Sequence, residues 1–568
     1  MNARTAPAPG QAPLPAPNAA ALLRRNGTDD TVAERIAIRF EDRSWTHAEF
    51  LAESTRWANL FRSHEPSTPD GVLHVGVLLD NKPEYLFALG GAALSGSVVV
   101  GLNHTRRDEN LWRDIEHTHV GLVITEARHR PLLAPFESRL RCVLADEDLD
   151  AAIASASTHD PGLEPDVGSR WALIFTSGTS SAPKAVICTQ RRLLQTGVRM
   201  AAIMDLGPDD VGYVCMPLFH SNALMVGWAP SIAIGASVGL GRRFSASGWL
   251  PDVRRYRATY FNYTGKPLSY LVATPEQPDD ADNPLRVAFG NEGSPDVVER
   301  FSRRFGVEVI DAFGATEGGV AVNREEGMRH GSVGKVTETV KVVDADGNEL
   351  PRARFGEDSA LLNADECVGE IVNTAGAGPF EGYYNNDEAT SSTLRNGWYW
   401  SGDLGYVDDD DFLYFAGRTA DWIRVDGENF PAGPIEAAIG RHPEVVLAAA
   451  YGVPDEHAGD QVMAALQWRE GSTFDPDAFA AFIDSLADVG PKWRPRYVRI
   501  VETFPSTGTN KIVKRTLVRQ KYRRDLCGDD RLWVRNRGDD SYRPFGDDDE
   551  RALHDALERA GRGRFWEL

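Results

Sequence analysis

Between Val72 and Thr125 apolar positions alternate between two periods. Residues 74–79 (HVGVLL), 97–102 (SVVVGL) and 120–125 (VGLVIT) are short, continuous and β-branched runs, which predict buried strands. The stretches between them, Pro83–Ser95 and 107–118, carry helical spacing. Strand and helix in alternation imply a mostly parallel sheet with helices on its faces. The same pairing recurs at 171–176 (WALIFT), at 236–241 (ASVGLG) followed by a helix over 249–256, and at 285–290 (LRVAFG) followed by a helix over Pro295–Phe305. No repeat with a period of about 20–50 residues is visible, which excludes a solenoid.

From Glu381 onward turns become denser, as in NNDEAT, LRNGWYW and VDDDDF, and the short runs FLYFAG and WIRVDG predict antiparallel hairpins. After Arg418 a small α+β unit follows: a strand over 422–425, a helix over 434–441, strands over 445–453 and 461–468, and a helix over 476–486. A domain boundary is expected near 417–421. The tail from Tyr522 is charged and ends in a helix over 549–560 and in Phe565-Trp566, a pattern expected to dock on the body.

A chain of 568 residues exceeds what one hydrophobic core serves, so two or more domains are expected. The 42% hydrophobic and 25% charged residues place it among ordinary soluble globular proteins. With 61 basic against 83 acidic residues the net charge is -22, a surface that repels polyanions and argues against a nucleic-acid partner. Single basic pockets for ATP or coenzyme A stay compatible with it. Cys142, Cys188, Cys215, Cys367 and Cys527 are scattered with no CxxC pair, so neither a disulfide framework nor a zinc site is suggested, and a cytoplasmic location fits. Residues 1–20 are rich in Ala and Pro without the apolar core of a signal peptide, and 1–25 are expected to be a disordered leader. Residues 85–102 are uncharged and long enough to raise a membrane span. Their glycines and serines, and the switch to Val98-Val99-Val100, predict instead a buried helix followed by a buried strand, with no span.

Four segments carry chemistry. Thr176-Ser177-Gly178-Thr179-Ser180-Ser181-Ala182-Pro183-Lys184 follows a strand; its small residues let backbone N–H groups approach phosphate oxygens, its hydroxyls add donors and Lys184 adds charge. The GK[ST] ending of a Walker loop is missing, and alone the segment also reads as a Ser/Thr-rich turn. Asp311, Phe313, Gly314, Thr316 and Glu317 fall within residues 310–318, combining a flat aromatic for a purine with a hard oxygen ligand for magnesium. Asp403 lies in a glycine turn suited to a ribose diol, and Arg418 supplies a fixed cation.

In this order the segments resemble the adenylate-forming superfamily of acyl-CoA synthetases, peptide-synthetase adenylation domains and luciferases, over about residues 28–520. The loop pattern T-S-G-T-T-G-x-P-K-G is matched by Thr176 to Ala185, with Ser181 and Ala185 where glycines stand in the family. The resemblance implies an α/β fold: a large N-terminal domain of doubly wound sheets plus a distorted β-barrel over residues 26–419, and a small mobile α+β C-terminal domain over 420–568. It implies ATP, Mg2+ and coenzyme A as reactants or cofactors, with Thr176, Ser177 and Gly178 in the phosphate loop and Thr179, Ser180 and Lys184 on the phosphates. Phe313 would stack on adenine beside Asp311 and Gly314, Thr316 would meet the α-phosphate, and Glu317 would bind the metal. Asp403 and Arg418 would take the ribose. Gly290-Asn291-Glu292 would line the acyl pocket and adenine, and His220 would gate the passage to the thiol tunnel.

Residues 504–512 (FPSTGTNKI) resemble the family's late P-x-T-x-x-G-K motif, which makes Lys511 the lysine that brings carboxylate and α-phosphate together. Two anions meet there, and a cation is wanted as charge builds on the phosphoryl oxygens. The implied hinge is Ala420, and after rotation Gly427 would line the pantetheine tunnel. The stretches 78–107 and 259–293 and the tail Tyr542-Arg543-Pro544-Phe545 resemble the fatty-acid transport protein and very-long-chain acyl-CoA synthetase branch. An acid–CoA ligase is therefore expected. Transfer to a carrier protein, arrest at the acyl-adenylate, and a non-catalytic acyl or nucleotide sensor are the alternatives. Whether the acid is fatty, aromatic or polycyclic, and whether the chain forms a homodimer, stay open.

Overall fold

The computed structural model describes residues 7, 10–176, 183–293, 295–320, 322, 328–329, 331–356, 361–418, 422–425, 428–455, 460–486, 489–507, 511–536, 538–560, 562–563 and 566. Two mostly parallel sheets form the body. In the first, the spatial order is Val143–Ala145, Val120–Thr125, His74–Leu78, Val98–Gly101, Arg170–Phe175 and Ala185–Thr189, parallel except for the last pairing. In the second it is Glu308–Asp311, Val287–Asn291, Tyr260–Thr264, Val211–Val214, Ser237–Leu240, Ile36–Phe40 and Arg43–Thr46, again parallel except for the final edge strand. The central strands are buried along their length, because parallel sheets are covered on both faces.

The uncharged stretch resolves into helix Pro83–Ser95, ended by Gly96 at φ 76, and strand Val98–Gly101. Gly90 and Gly91 lie where helix His47–Arg62 crosses: a Cβ on Gly91 would stand 2.7 Å from Trp57 Cβ. Among the described residues no helix is long and apolar enough to cross a membrane.

A six-stranded antiparallel sheet corresponds to the expected distorted barrel. Its path is Ser332–Lys335, Phe412–Arg418, Trp398–Val407, Gly369–Asn373 and Val340–Val343, with Leu394–Arg395 added on Trp398–Val407. Antiparallel architecture thus begins at Ser332, ahead of the change of pattern expected at Glu381. Strands such as SVGK and VKVV are too short and too polar to register as apolar runs.

The C-terminal part opens with the hairpin Trp422–Val425 and Glu428–Pro431. Five strands follow, in the order Val445–Pro454, Asp460–Trp468, Tyr497–Val501, Arg531–Val534 and Arg543–Pro544. Phe479, Ile483, Val498 and Ala464 fill the core on one face of this sheet, and Tyr451, Met463, Tyr522 and Leu557 fill it on the other. The tail contributes two strands and helix Asp547–Arg559, and Trp566 packs 5.7 Å from the Tyr522 ring.

The stretch expected to be a disordered leader is ordered over most of its described length. Helix Ala19–Thr28 is capped by the Asn18 side chain, which accepts from Ala21 N at 2.7 Å. Ala19, Ala20, Leu22 and Leu23 are buried, and Ala19 N donates to Gln190 Oε1 at 2.9 Å. Upstream, the Pro7 carbonyl accepts from Arg199 Nε at 3.0 Å. Composition misled here because AAALL is at once low in complexity and strongly helix-forming.

Candidate active site

The site gathers at the carboxyl ends of strands Tyr260–Thr264, Val287–Asn291 and Glu308–Asp311, the crevice where open α/β sheets hold ligands. Gly290 closes on Tyr263: an added Cβ would stand 2.4 Å from the Tyr263 carbonyl oxygen, so only glycine fits. Asn291 Nδ2 donates to the Gly314 carbonyl at 3.3 Å, and its Oδ1 is buried without a partner. Glu292 turns the chain at φ 65, a left-handed conformation uncommon outside glycine and asparagine. Its Oε1 lies 2.5 Å from Lys511 Nζ. Asp311 braces the same turn, accepting from the Tyr263 hydroxyl at 2.7 Å and from Gly293 N at 2.9 Å.

The segment carrying Phe313, Thr316 and Glu317 runs across this crevice. Phe313 packs 5.9 Å from the Phe415 ring, and a Cβ on Gly314 would face open space. Ser221 and Thr316 share a hydroxyl hydrogen bond of 3.0 Å. Glu317 Oε1 accepts from the Tyr383 hydroxyl at 2.6 Å. Arg192, on helix Gln190–Met204, donates to the carbonyl of Thr316 and, at 3.2 Å, to that of Glu317. Its guanidinium therefore holds the backbone from which both side chains project. Lys184 Nζ stands 5.4 Å from the Tyr383 ring, so the phenol touches both Glu317 and the lysine of the expected phosphate loop. The neck of that loop is closed by Thr176 N donating to the Lys184 carbonyl at 3.0 Å. Ser177, Gly178, Thr179 and Ser180 lie outside the described residues, as do Gly427 and Ala420.

His220 precedes the π-helical segment Asn222–Trp228, and its ring centroid is 4.5 Å from that of Phe219. Burial, reinforced by Lys511 and His104, pushes its pKa down to about 3, and its buried Nε2 has no hydrogen-bond partner. The imidazole is thus neutral at physiological pH. Asp403 is buried in strand Trp398–Val407, directly across the ladder from Arg418. The Arg418 side chain lies outside the described residues. Among the described residues Lys511 pairs with Glu292, Asn291 bonds the Gly314 carbonyl two residues before Thr316, Glu317 and Lys184 both face Tyr383, and the Phe313–Phe415 contact reaches the Asp403 strand pair.

The motifs left out Arg192 and Tyr383. Tyr383 sits in Glu381-Gly382-Tyr383-Tyr384-Asn385-Asn386, a run read only as turn-rich, and the flanking glycine was its one local signal. Arg192 looks like any helix arginine.

Lys511 reaches the crevice because the C-terminal part packs on the body. Lys266 Nζ donates to Ser506 Oγ at 2.5 Å, the Tyr270 hydroxyl to Gln467 at 3.2 Å, and Arg469 to the Ala273 carbonyl at 3.2 Å. Lys266 is buried, and burial pushes its pKa down to about 8.

The AMP-binding enzyme family model matches residues 26–384, and that of the AMP-binding enzyme C-terminal domain matches 434–511. The chain is 45% identical to a steroid-22-oyl-CoA synthetase of Rhodococcus jostii over 543 residues, covering 94% of this chain and 96% of the relative. It is 46% identical to the medium/long-chain-fatty-acid–CoA ligase FadD17 of Mycobacterium tuberculosis over 482 residues, or 84% and 92% of the two chains. Among solved structures, the anthranilate CoA ligase AuaEII in complex with anthranoyl-AMP superposes with a TM-score of 0.77 at 21% identity, covering 88% of this chain and 96% of that one, which shows the fold. The chain belongs to the AMP-binding enzyme family.

Proposed function

We infer that this protein is an ATP-dependent acid–CoA ligase that activates a lipophilic carboxylic acid as its acyl-adenylate and then passes the acyl group to coenzyme A. The observation that carries this is the Lys511 ammonium held against Glu292 at the crevice mouth, with Thr316 and Glu317 on the facing segment. In the first half-reaction a carboxylate oxygen attacks the α-phosphorus of ATP and pyrophosphate leaves. Both reactants are anionic, so a single mobile cation between them lowers the barrier most when charge builds on the phosphoryl oxygens. Lys511 is that cation. On binding, the acid carboxylate and the α-phosphate take it from Glu292. Thr316 donates to the α-phosphate, Phe313 covers the adenine, and Asp403 with Arg418 takes the ribose diol. Thr179, Ser180 and Lys184 hold the departing phosphates.

Glu317 suits a hard divalent cation such as Mg2+: it offers carboxylate oxygen, and the neutral Tyr383 phenol orients it without cancelling its charge. A magnesium bound there supplies charge neutralisation on the phosphates. In the second half-reaction the thiol attacks the acyl carbonyl and AMP leaves. The part of the chain from Ala420 onward turns about that residue, Lys511 leaves, and Gly427 faces the pantetheine arm. The neutral His220 lines the passage between acyl group and thiol.

The steroid and medium- to long-chain acids named for the two close relatives favour a bulky apolar acid. A cytoplasmic site of action fits the free cysteines. A panel of steroid side-chain, fatty and aromatic acids, assayed with and without coenzyme A, tests the reading. It expects acid-dependent pyrophosphate release and CoA-dependent thioester formation with AMP. Adenylate formed without any thioester would move the function to carrier-protein loading, and no acid-dependent pyrophosphate with any acid would end it.

A further inference from the structure

Three neighbouring parallel strands of the first sheet end over one polar cluster. Asp80 follows His74–Leu78, His104 follows Val98–Gly101, and Glu126 and His129 follow Val120–Thr125. Asp80 and His129 are buried and His104 is partly exposed. One donor atom from each of Asp80, His104 and His129 lies within 4.8 Å of the other two. His129 Nε2 is 2.9 Å from Asp80 Oδ1 and 3.5 Å from Glu126 Oε1, and His104 Nε2 is 3.9 Å from Asp80 Oδ1.

These separations match what a metal would impose. Zinc binds imidazole nitrogen and carboxylate oxygen at about 2.0–2.2 Å, so a tetrahedral sphere sets its donors about 3.3–3.5 Å apart. The observed spacings bracket that value. The outer oxygens of both carboxylates face cations: Arg128 pairs with Asp80 Oδ2, and Lys82 lies 3.7 Å from Glu126 Oε2. The inner oxygens, Asp80 Oδ1 and Glu126 Oε1, are left turned toward the imidazoles, and Asp80 N fixes Glu126 Oε1 at 2.9 Å. The two imidazoles are stacked at 4.7 Å with 5° between planes, so the partly exposed His104 ring must tilt for both nitrogens to aim at one ion.

We propose that Asp80, His104 and His129, completed by Glu126, form a binding site for one divalent transition ion of the zinc class. Two nitrogens and two oxygens suit zinc, nickel or iron(II) better than magnesium or calcium, which take oxygen alone. The site is separate from Glu317. The His104 ring meets Phe219 edge-on at 5.2 Å, and Phe219 packs against His220. An ion here ties three strand ends together one aromatic ring behind His220, where it stiffens the wall of the acyl passage.

The test uses the full-length protein, treated with chelator and held free of ATP and magnesium, with Co2+ as the optical probe. One Co2+ per chain is expected to give the intense visible bands of four-coordinate cobalt and to be displaced by one equivalent of Zn2+. His104→Gln and His129→Gln are each expected to weaken Zn2+ binding by at least about 100-fold, the upper end of what loss of an outer-shell partner alone does. Glu317→Gln is expected to leave it unchanged. Should His129→Gln fail to fold, His104→Gln, at a partly exposed position, decides alone. Absence of the cobalt bands, or Zn2+ binding of equal strength in the folded histidine variants, overturns the proposal and leaves the cluster an ion-pair network centred on Arg128.

Discussion

Lys511 Nζ and Glu292 Oε1 lie 2.5 Å apart across 219 residues of sequence, and Glu292 holds its side of the pair at φ 65. A carboxylate in this position keeps the ammonium at the crevice until two substrate anions replace it. Lys511→Ala is expected to slow acyl-adenylate formation by about 100-fold or more, the effect of removing one preorganised charge from a phosphoryl transition state. Thioester formation from supplied acyl-adenylate is expected to keep most of its rate. Single-turnover measurements of the two half-reactions check this, and equal loss in both would remove Lys511 from its role.

Glu292→Gln separates holding from chemistry. The amide keeps the shape of the turn but gives up the charge, so Lys511 loses its resting partner. The expected outcome is adenylation within about tenfold of the parent, since the pair is half-exposed and a screened surface ion pair contributes about 0–1 kcal/mol. A loss as deep as that of Lys511→Ala would mean that Glu292 itself touches the reacting groups.

The body of the fold was legible because buried β-branched runs such as SVVVGL and VGLVIT have no other stable home than a covered sheet. Helices Pro83–Ser95 and Pro295–Phe305 were legible to the residue, each opening on a proline that cannot sit deeper in a helix. Sheet order was not legible, since Ile36–Phe40 joins Ser237–Leu240 across some two hundred residues of chain. In the site, Lys511 and Glu317 stood out because glycine-rich turns punctuate the chain around them. Arg192 did not, because it works through two carbonyl oxygens that any residue could present. Asp80, His104 and His129 come from three separate strand ends, and no spacing rule joins them.

Tyr383 orients Glu317 through one hydroxyl hydrogen bond at 2.6 Å. Tyr383→Phe removes the donor and keeps the ring beside Lys184. The carboxylate then loses one charge-assisted hydrogen bond, a contribution of about 1.5–3 kcal/mol in general. Adenylation is expected to fall by about tenfold to 100-fold, with the half-saturating Mg2+ concentration raised. An unchanged Mg2+ dependence would show that Glu317 needs no support from the phenol.

Lys266 makes the contact between body and C-terminal part sensitive to pH. Burial lowers its pKa from an ordinary 10.5 to about 8 while Ser506 and Phe504 cover it. When the two parts separate, the amine regains water and its ordinary value. Between the two values the separated form binds the extra proton, so packing grows more favourable as pH rises from 8 toward 10.5 and gains nothing further below or above that window. Protease sensitivity around residue 420 is expected to fall from pH 7.5 to pH 9.5 in the parent (pH values on the order of those bounds). Lys266→Met, which keeps the apolar stem, is expected to abolish the trend. A trend that persists in Lys266→Met would assign it to another group.

Asn26 ties the N-terminal helix to the body. Its side chain is buried, and Nδ2 donates to the Ile232 carbonyl at 2.7 Å, while Leu22 and Leu23 on the same helix are buried beside it. In Asn26→Ala the carbonyl of Ile232 loses this donor in a place water does not reach, and a buried polar group left unpaired costs about 1–3 kcal/mol. Asn18→Ala removes the cap on Ala21 N and the donation from Nδ2 to Glu164 Oε2 at 2.9 Å, both only partly buried, and is expected to cost about 1 kcal/mol. Denaturant midpoints of the full-length variants should therefore rank parent, then Asn18→Ala, then Asn26→Ala. Both asparagines are buried, but the bond lost at Asn26 is fully buried while those lost at Asn18 are only partly so. If the two variants match the parent, the helix rests on the body without contributing to its stability, and the buried leucines beside it are incidental.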